Sequence, residues 1–167
     1  MNHTQNAERV LSRYSTLVYR VCYVKLASTD HTLVDDAFQN TFLYWIEHPP
    51  KTEPNSEHEK AWFIRCAIHR CTDLIRSRRA YDEIPESLPA VSDDTSDVMQ
   101  AILALPEKYK IPLYLTAVIG YSVAEAAKIL GITSAGMSMR LTRARRALAA
   151  ELGLTEYEPK TVKERKL

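Results

Sequence analysis

Apolar residues recur at helical spacing along almost the whole chain. Val34, Ala37, Phe38, Thr41, Phe42, Trp45 and Ile46 fall at i, i+3, i+4, i+7, i+8, i+11 and i+12, one stripe of an amphipathic helix facing a core. The opposite face carries Asp35, Asp36, Gln39 and Asn40, with Leu43 among them. An apolar centre in a polar rim describes a partner surface as well as a solvated face with one stray leucine, and periodicity does not separate the two. From Lys60 to Arg79 a wheel at about 100° per residue puts Phe63, Ile64, Ala67, Ile68, Cys71, Leu74 and Ile75 on a core arc. Trp62, Arg65, His69, Thr72, Asp73 and Arg76 fall outside it. A tryptophan and arginines outside a core arc suit a surface where bases stack and phosphates pair. The plainer alternative is a tryptophan packed on a neighbouring helix beside solvated arginines. The ending RSRRA, with Arg76, Arg78 and Arg79, favours the first reading, because crowded like charges repel unless an anion is near.

Further along, Val98, Ile102 and Leu105, then Ile111, Leu115 and Val118, keep helical spacing on either side of LPEKY, where Pro106 suits the first turn of a new helix. Ser122 with Glu125 is a capping box that opens the helix VAEAAKIL, and Gly131 ends it. Thr133 or Ser134 then caps the next helix. Ala127 is small where two helices must cross closely, and Met137 plugs the core they share. These are the parts of a helix-turn-helix. On its second helix Met137, Leu141, Ala144 and Leu148 face inward, while Ala135, Ser138, Met139, Thr142, Arg143 and Arg146 face outward with Arg140 and Arg145 at the flanks. An outward face of this kind enters the major groove: Arg143 and Arg146 are placed for phosphates, Ser138 and Thr142 for base edges, Ala135 and Met139 for thymine methyls.

Two stretches interrupt the helical pattern. HPPKTEPNSEHE, residues 48–59, contains three prolines, and the strip from Tyr81 to Asp97 contains Pro85, Pro89 and six acids. The expected fold is therefore all-α. It comprises an N-terminal helical domain (residues 1–79), an acidic flexible linker (80–97), a C-terminal helix-turn-helix domain (98–152) and a tail (153–167).

Charge sharpens this division. The formal net charge is only +1, but residues 60–79 hold six bases and one acid, and residues 98–150 hold seven and two. Residues 80–97 hold no base and six acids. Two basic blocks that can meet a polyanion thus flank a strip that cannot. Three cysteines form no even disulfide framework, and the polar start MNHTQNAERV has no apolar signal segment, which reads as a reduced, cytoplasmic protein without membrane insertion. Cys66 and Cys71 lie about 140° apart on one helix and cannot close on one ion, so both read as core residues. His58-Glu59 fails as a zinc-protease motif because Trp62 stands where a second histidine is needed. No phosphate-cradling glycine loop or nucleophile elbow is present. No catalytic group, metal or other cofactor is implied.

Residues 8–152 as a whole resemble the extracytoplasmic-function sigma factors, the compact initiation subunits of bacterial RNA polymerase. DDAFQNTFLYWI is similar to the family's Asp-x-x-Gln-x-x-Phe helix through Asp36, Gln39 and Phe42. The resemblance implies that Asp36, Gln39, Asn40 and Leu43 dock on core RNA polymerase at the β′ clamp helices, with a further contact of the chain to the β flap. WFIRCAIHRCTDLIRSRRA resembles the next family helix through Trp62, Arg65, Ala67, Asp73 and Arg76. That implies melting and reading of the minus-ten element of promoter DNA by Trp62, Arg65, His69, Arg76, Arg78 and Arg79. The proline-rich segment between them corresponds to the family loop that captures a flipped base. The segment from LPEKY to MRLTRARRAL resembles the domain that reads the minus-thirty-five element, here through Thr133, Ser134, Ala135, Ser138, Met139, Thr142, Arg143 and Arg146. An anti-sigma factor is the implied regulator, and the acidic linker is implied to pass through the channel that RNA later occupies. Asn40 stands where the family commonly has Glu, His69 where Asn is usual, and Gly136, Ser138 and Met139 where Thr, Lys and Ser are usual. Gly136 weakens its helix by about 0.5–1 kcal/mol relative to Ala.

Two other classes of protein fit parts of this pattern. A free-standing helix-turn-helix regulator would need a dimer interface or effector pocket and would bind duplex DNA without polymerase. A non-initiating polymerase-binding protein would keep the Asp36 to Leu43 surface and lose the Trp62 surface, and the retained Trp62 and arginines argue against it.

Overall fold

The computed structural model describes residues 2–81 and 96–154. The chain divides into two compact units, the division falling between Pro89 and Ala90. Most of the acidic linker and of the tail lies outside the described residues.

The first unit is a bundle of three mutually packed helices: α1 (His3–Asp30), α2 (Leu33–Glu47) and α3 (Glu57–Tyr81). Asn2 and Gln5 open α1 with a reciprocal capping box. Val10, Val18, Val21, Val24 and Leu26 of α1 meet Val34, Ala37, Phe42 and Trp45 of α2 and Phe63, Ile64, Ala67 and Ile75 of α3 in one buried core. Phe63 sits at its centre, stacked on Tyr14 at 4.6 Å and near the rings of Phe42 and Trp45. The α2 stripe is buried as its spacing requires except at Phe38, which is half-buried, and at its last member: Ile46 is 58% exposed. Ile46 is at the edge of the stripe and one residue from the helix end, where the chain turns away from the bundle.

Helix α3 begins at Glu57, three residues before the expected start. The sequence holds the reason: the Ser56 hydroxyl accepts the Glu59 N–H at 3.1 Å, and the Ser56 carbonyl accepts the Lys60 N–H. Ser56 is thus a helix cap placed after the last proline of the loop.

In the second unit α4 (Asp97–Ala104), α5 (Glu107–Leu113) and a π-helical turn (Tyr114–Val118) lead into α6 (Val123–Leu130) and α7 (Ser134–Glu151). Helices α4, α5 and α6 all pack on α7. Pro106 lies one residue outside α5, at its cap, rather than in its first turn. Ile102, Leu105, Ile111 and Leu115 are buried, but Val98 and Val118 are each 51% exposed. Val98 lies in the first turn of α4, and burial begins only at Ala101. Val118 is displaced by the π turn. Pro112 has no N–H to donate back along α5, and the next turn widens so that the Ile119 N–H reaches the Tyr114 carbonyl five residues back. One extra residue in a turn rotates the downstream residues by about 100°, which carries Val118 off the core arc.

The helix-turn-helix forms as its spacing predicts. Ser122 and Glu125 exchange capping hydrogen bonds of 2.8 and 3.1 Å, and Gly131 closes α6 in the left-handed region at φ 66°. Thr133, not Ser134, is the cap of α7: its hydroxyl accepts the Gly136 N–H at 3.0 Å. Ala127 and Met137 are buried where the two helices cross, beside Leu141 and Ala144, with Leu148 half-buried against Ile102, Leu105 and Leu113. Among the described residues no helix is long and apolar enough to cross a membrane.

Candidate functional site

Three surfaces carry the residues singled out from the sequence, two on the first unit and one on the second. On α2, Asp35, Asp36, Gln39 and Leu43 are exposed and Asn40 is half-buried. Leu43 is 57% exposed, and Ile46, three residues on, is exposed as well. Asp36 and Asp35 lie in the first turn of α2, where a negative charge opposes the helix dipole favourably. The arrangement is an apolar centre rimmed by carboxylates and amides on a rigid helix.

The second surface is built on α3. Trp62 and Arg65 are half-buried, and His69, Arg76 and Arg79 are exposed. Trp62 meets the edge of Phe63 at 5.1 Å and lies nearly parallel to Tyr44 at 6.2 Å. Tyr44 in turn stacks on His48 at 4.4 Å and carries the Arg70 guanidinium over its ring at 4.4 Å. Trp62 therefore does pack on a neighbour, yet it also heads a row of rings, Trp62, Tyr44 and His48, with the Arg70 guanidinium over Tyr44. Neither Tyr44 nor His48 was expected in this surface. Their signal was the aromatic residue four positions before a histidine at the end of α2, a spacing that stacks side chains on one helix face.

Arg78 does not join that surface. It forms an ion pair with Asp30, and its Nη1 is 3.4 Å from the Thr32 hydroxyl. On the wheel Arg78 falls within the core arc of α3, so its charge is answered at the corner between α1 and α2. The crowding of arginines in RSRRA is thus partly relieved by a carboxylate of the same chain.

The loop between α2 and α3 is fastened to α1. Arg9 donates from both terminal nitrogens to Glu59, at 2.9 and 2.8 Å, and Tyr14 donates to the same carboxylate at 2.8 Å. The Asn55 N–H donates to it at 2.7 Å. Burial disfavours the ionised Glu59, but the hydrogen bonds from Arg9, Asn55 and Tyr14 outweigh it and hold the carboxyl below its ordinary value. Contacts to Glu59 raise Arg9 correspondingly. A carboxyl lowered in the folded state contributes stability that is present above its unfolded value and is lost as pH falls through the folded one. Glu59→Gln is expected to destabilise the chain by about 1.5–3 kcal/mol at neutral pH, the range for hydrogen bonds to a charged group. That difference should shrink as pH drops below about 4.3, the ordinary glutamate value. Denaturant unfolding of both proteins between pH 7 and 3 measures it, and a difference constant across that range contradicts the assignment.

Cys22, Cys66 and Cys71 are free and buried. Burial pushes the Cys66 thiol up to about 11, and a hydrogen bond with Cys71 raises Cys22. Cys22 and Cys66, raised in this way, stay protonated and unreactive. Among the described residues no group of three His, Cys, Asp or Glu is placed to hold a metal ion.

The third surface is the outer face of α7. Ser134, Ala135, Met139, Arg140, Arg143 and Arg146 are exposed, and Ser138, Thr142 and Arg145 are half-buried. Met139 is 56% exposed. The Thr142 hydroxyl donates to the Ser138 carbonyl at 3.0 Å, which leaves the oxygen as an acceptor on the outer face. A Cβ on Gly136 would stand 3.1 Å from the Thr133 hydroxyl, so a β-branched residue there crowds the cap that opens α7.

The class defined by this geometry is a helical, helix-turn-helix DNA-binding protein with a second, aromatic and basic surface. Comparison with known proteins is specific. The family model for Sigma-70 region 2 matches residues 10–81, and that for Sigma-70 region 4 matches residues 95–148. The chain is 30% identical over 153 residues to the ECF RNA polymerase sigma factor SigM of Mycobacterium tuberculosis, covering 87% of this chain and 76% of that protein. In fold it is similar to the sigma factor RpoE, solved in complex with the anti-sigma factor NepR from Bartonella quintana, at TM-score 0.70 and 18% identity over 89% of this chain and 97% of the other. It is also similar to CnrH, solved in complex with the cytosolic domain of CnrY, at TM-score 0.62 and 24% identity over 91% and 95%. The chain belongs to the extracytoplasmic-function sigma factors of the sigma-70 family: it is an RNA polymerase sigma factor that directs promoter recognition and transcription initiation.

Proposed function

We propose that residues 1–79 dock core polymerase and open the minus-ten element, and that residues 98–152 read the minus-thirty-five element, joined by the acidic linker of residues 80–97. The chain acts by differential binding and does no chemistry of its own. In this reading Asp36, Gln39, Asn40, Leu43 and Ile46 meet the β′ clamp helices. Trp62, Arg65, His69, Arg76 and Arg79 favour unstacked, single-stranded bases, offsetting the few kcal/mol that base extrusion costs. Arg78 is assigned to Asp30 instead. Contact of the C-terminal unit with the β flap completes the holoenzyme. The observation that carries this assignment is the presence of two surfaces on one small bundle: an exposed apolar one rimmed by acids on α2, and an aromatic one shared by the end of α2 and α3, with bases of α3 beside it. A free-standing regulator would use the first for its own dimer, and would have no use for the second. Run-off transcription with core polymerase from the promoter of its own operon tests the whole, and polymerase-independent binding to that promoter without transcripts would overturn it.

An anti-sigma partner is supported by the two similar folds, each solved with such a regulator or with a cytosolic domain bound. Its place of action is the cytoplasm, where polymerase and promoter are.

On α7 the arginines and the small residues are expected to fail differently. Arg143→Ala and Arg146→Ala each remove a phosphate contact, so affinity should fall alike on all upstream sequences and the log-log salt slope should drop by about one unit each. Ser138→Ala or Thr142→Ala should change preference at one or two base pairs, by at most about 1–3 kcal/mol, and hardly alter the slope. Salt-dependent affinities of the full chain for a small library of upstream elements decide this. Should Arg143→Ala shift base preference while Ser138→Ala changes nothing, the helix lies rotated in the groove.

A further inference from the structure

We propose that Glu59 is the positioning residue of the loop formed by residues 48–56, fixing the shape with which that loop receives a base extruded from the duplex. The proposal rests on the reading of this loop as the base-capturing segment. Glu59 is 3% exposed, and both its oxygens are engaged by Arg9, a residue 50 positions away on α1. A buried ion pair is no better for stability than a well-packed apolar side chain of similar size, so core filling does not call for a carboxylate here. What a carboxylate does that an apolar residue cannot is accept a backbone N–H while it is itself anchored. The N–H it accepts belongs to Asn55, whose φ of 63° lies in the left-handed region, which asparagine adopts more readily than other residues with a Cβ. Held there by its hydrogen bonds, Asn55 gives the end of the loop one defined turn.

Asn55 is held from both sides. Its N–H goes to Glu59, and its side-chain oxygen accepts from Arg9 Nη1 at 2.8 Å. The next residue, Ser56, donates its N–H to the Glu53 carbonyl and caps α3 with its hydroxyl. Glu59 lies on the first turn of α3, three residues before Trp62, so one side chain ties the loop's end, the start of α3 and α1 into a single rigid corner. The loop is thereby held in register with the aromatic row headed by Trp62. Positioning matters because a loop held in its bound conformation pays less ordering entropy when the base enters.

The test uses holoenzyme assembled from core polymerase and the full chain. Binding is measured to single-stranded oligonucleotides that carry the minus-ten element of the non-template strand, with an abasic site placed at each position in turn. The wild type is expected to lose affinity sharply at the captured position. Glu59→Gln and Asn55→Gly are each expected to reduce that position-specific penalty by about tenfold, with the penalties at other positions and the affinity for core polymerase unchanged. Asn55→Gly keeps the Arg9–Glu59 pair, removes the side-chain bond from Arg9 to the loop and widens the backbone freedom at residue 55, so it reports even if Glu59→Gln fails to fold. Full retention of the penalty in Asn55→Gly, or an equal loss at every position, overturns the proposal and leaves the loop reading intact. A wild type with no position-specific penalty overturns the loop reading and the proposal with it.

Discussion

Replacing Leu43 with aspartate is expected to abolish co-purification with core polymerase while leaving helicity and melting temperature unchanged. Leu43 is 57% exposed and contributes little to the bundle, and substitutions at such positions usually shift stability by no more than about 0.5 kcal/mol. At an interface the same side chain is an apolar centre within a rim of Asp36, Gln39 and Asn40. Binding energy concentrates at desolvated centres of this kind, where truncation costs about 2 kcal/mol or more, and a buried unpaired carboxylate adds its own desolvation. A loss of about 2 kcal/mol is already about thirtyfold in affinity. Asp36→Arg is expected to act in the same direction through charge reversal, since like charges across an interface oppose encounter as well as binding. Ile46→Asp at the flank should weaken association less than Leu43→Asp. Undiminished co-purification of Leu43→Asp with core polymerase would remove α2 from the dock.

The double replacement Trp62→Ala with Arg65→Ala is expected to leave the holoenzyme intact and closed-complex binding largely preserved, but to lower sharply the yield of permanganate-reactive thymines near the start site. Stacking of a base on an aromatic side chain is worth about 1–3 kcal/mol, and this is available only after the base has left the duplex. Loss of one such contact, together with an arginine that answers phosphate, shifts the equilibrium between closed and open promoter by about tenfold or more. Because Trp62 also packs on Phe63 and Tyr44, the variant is compared at a temperature well below its own midpoint of unfolding. Artificially melted templates should restore transcription. Equal impairment on melted and duplex templates would show that these residues do not act in strand separation.

Much of this molecule is written locally. The all-α class, the capping box of Ser122 and Glu125, the left-handed Gly131, the buried crossing at Ala127 and Met137, and the outward face of α7 all derive from signals spanning one or two helical turns. Such signals depend on rise, pitch and the unpaired groups at helix ends, which the chain carries with it wherever it packs. The apolar stripe of α2 and the odd leucine opposite it were legible for the same reason.

What the sequence left open was settled by contacts between residues far apart along the chain. Arg78 looked like one of three equivalent arginines until Asp30, 48 positions earlier, was brought against it. Ile46 and Val118 had core spacing, yet one lies where its helix turns away from the bundle and the other sits at the end of a π turn that shifts the register. Ser56 was a readable helix cap, but nothing near Glu59 in the sequence announces Arg9 and Tyr14, which reach it from α1 across 50 and 45 positions. Periodicity reports which side of a helix is apolar. It does not report which polar partner waits on that side, because that partner is chosen by how three helices pack, and a buried charge is tolerated only where the packing supplies its counter-charge.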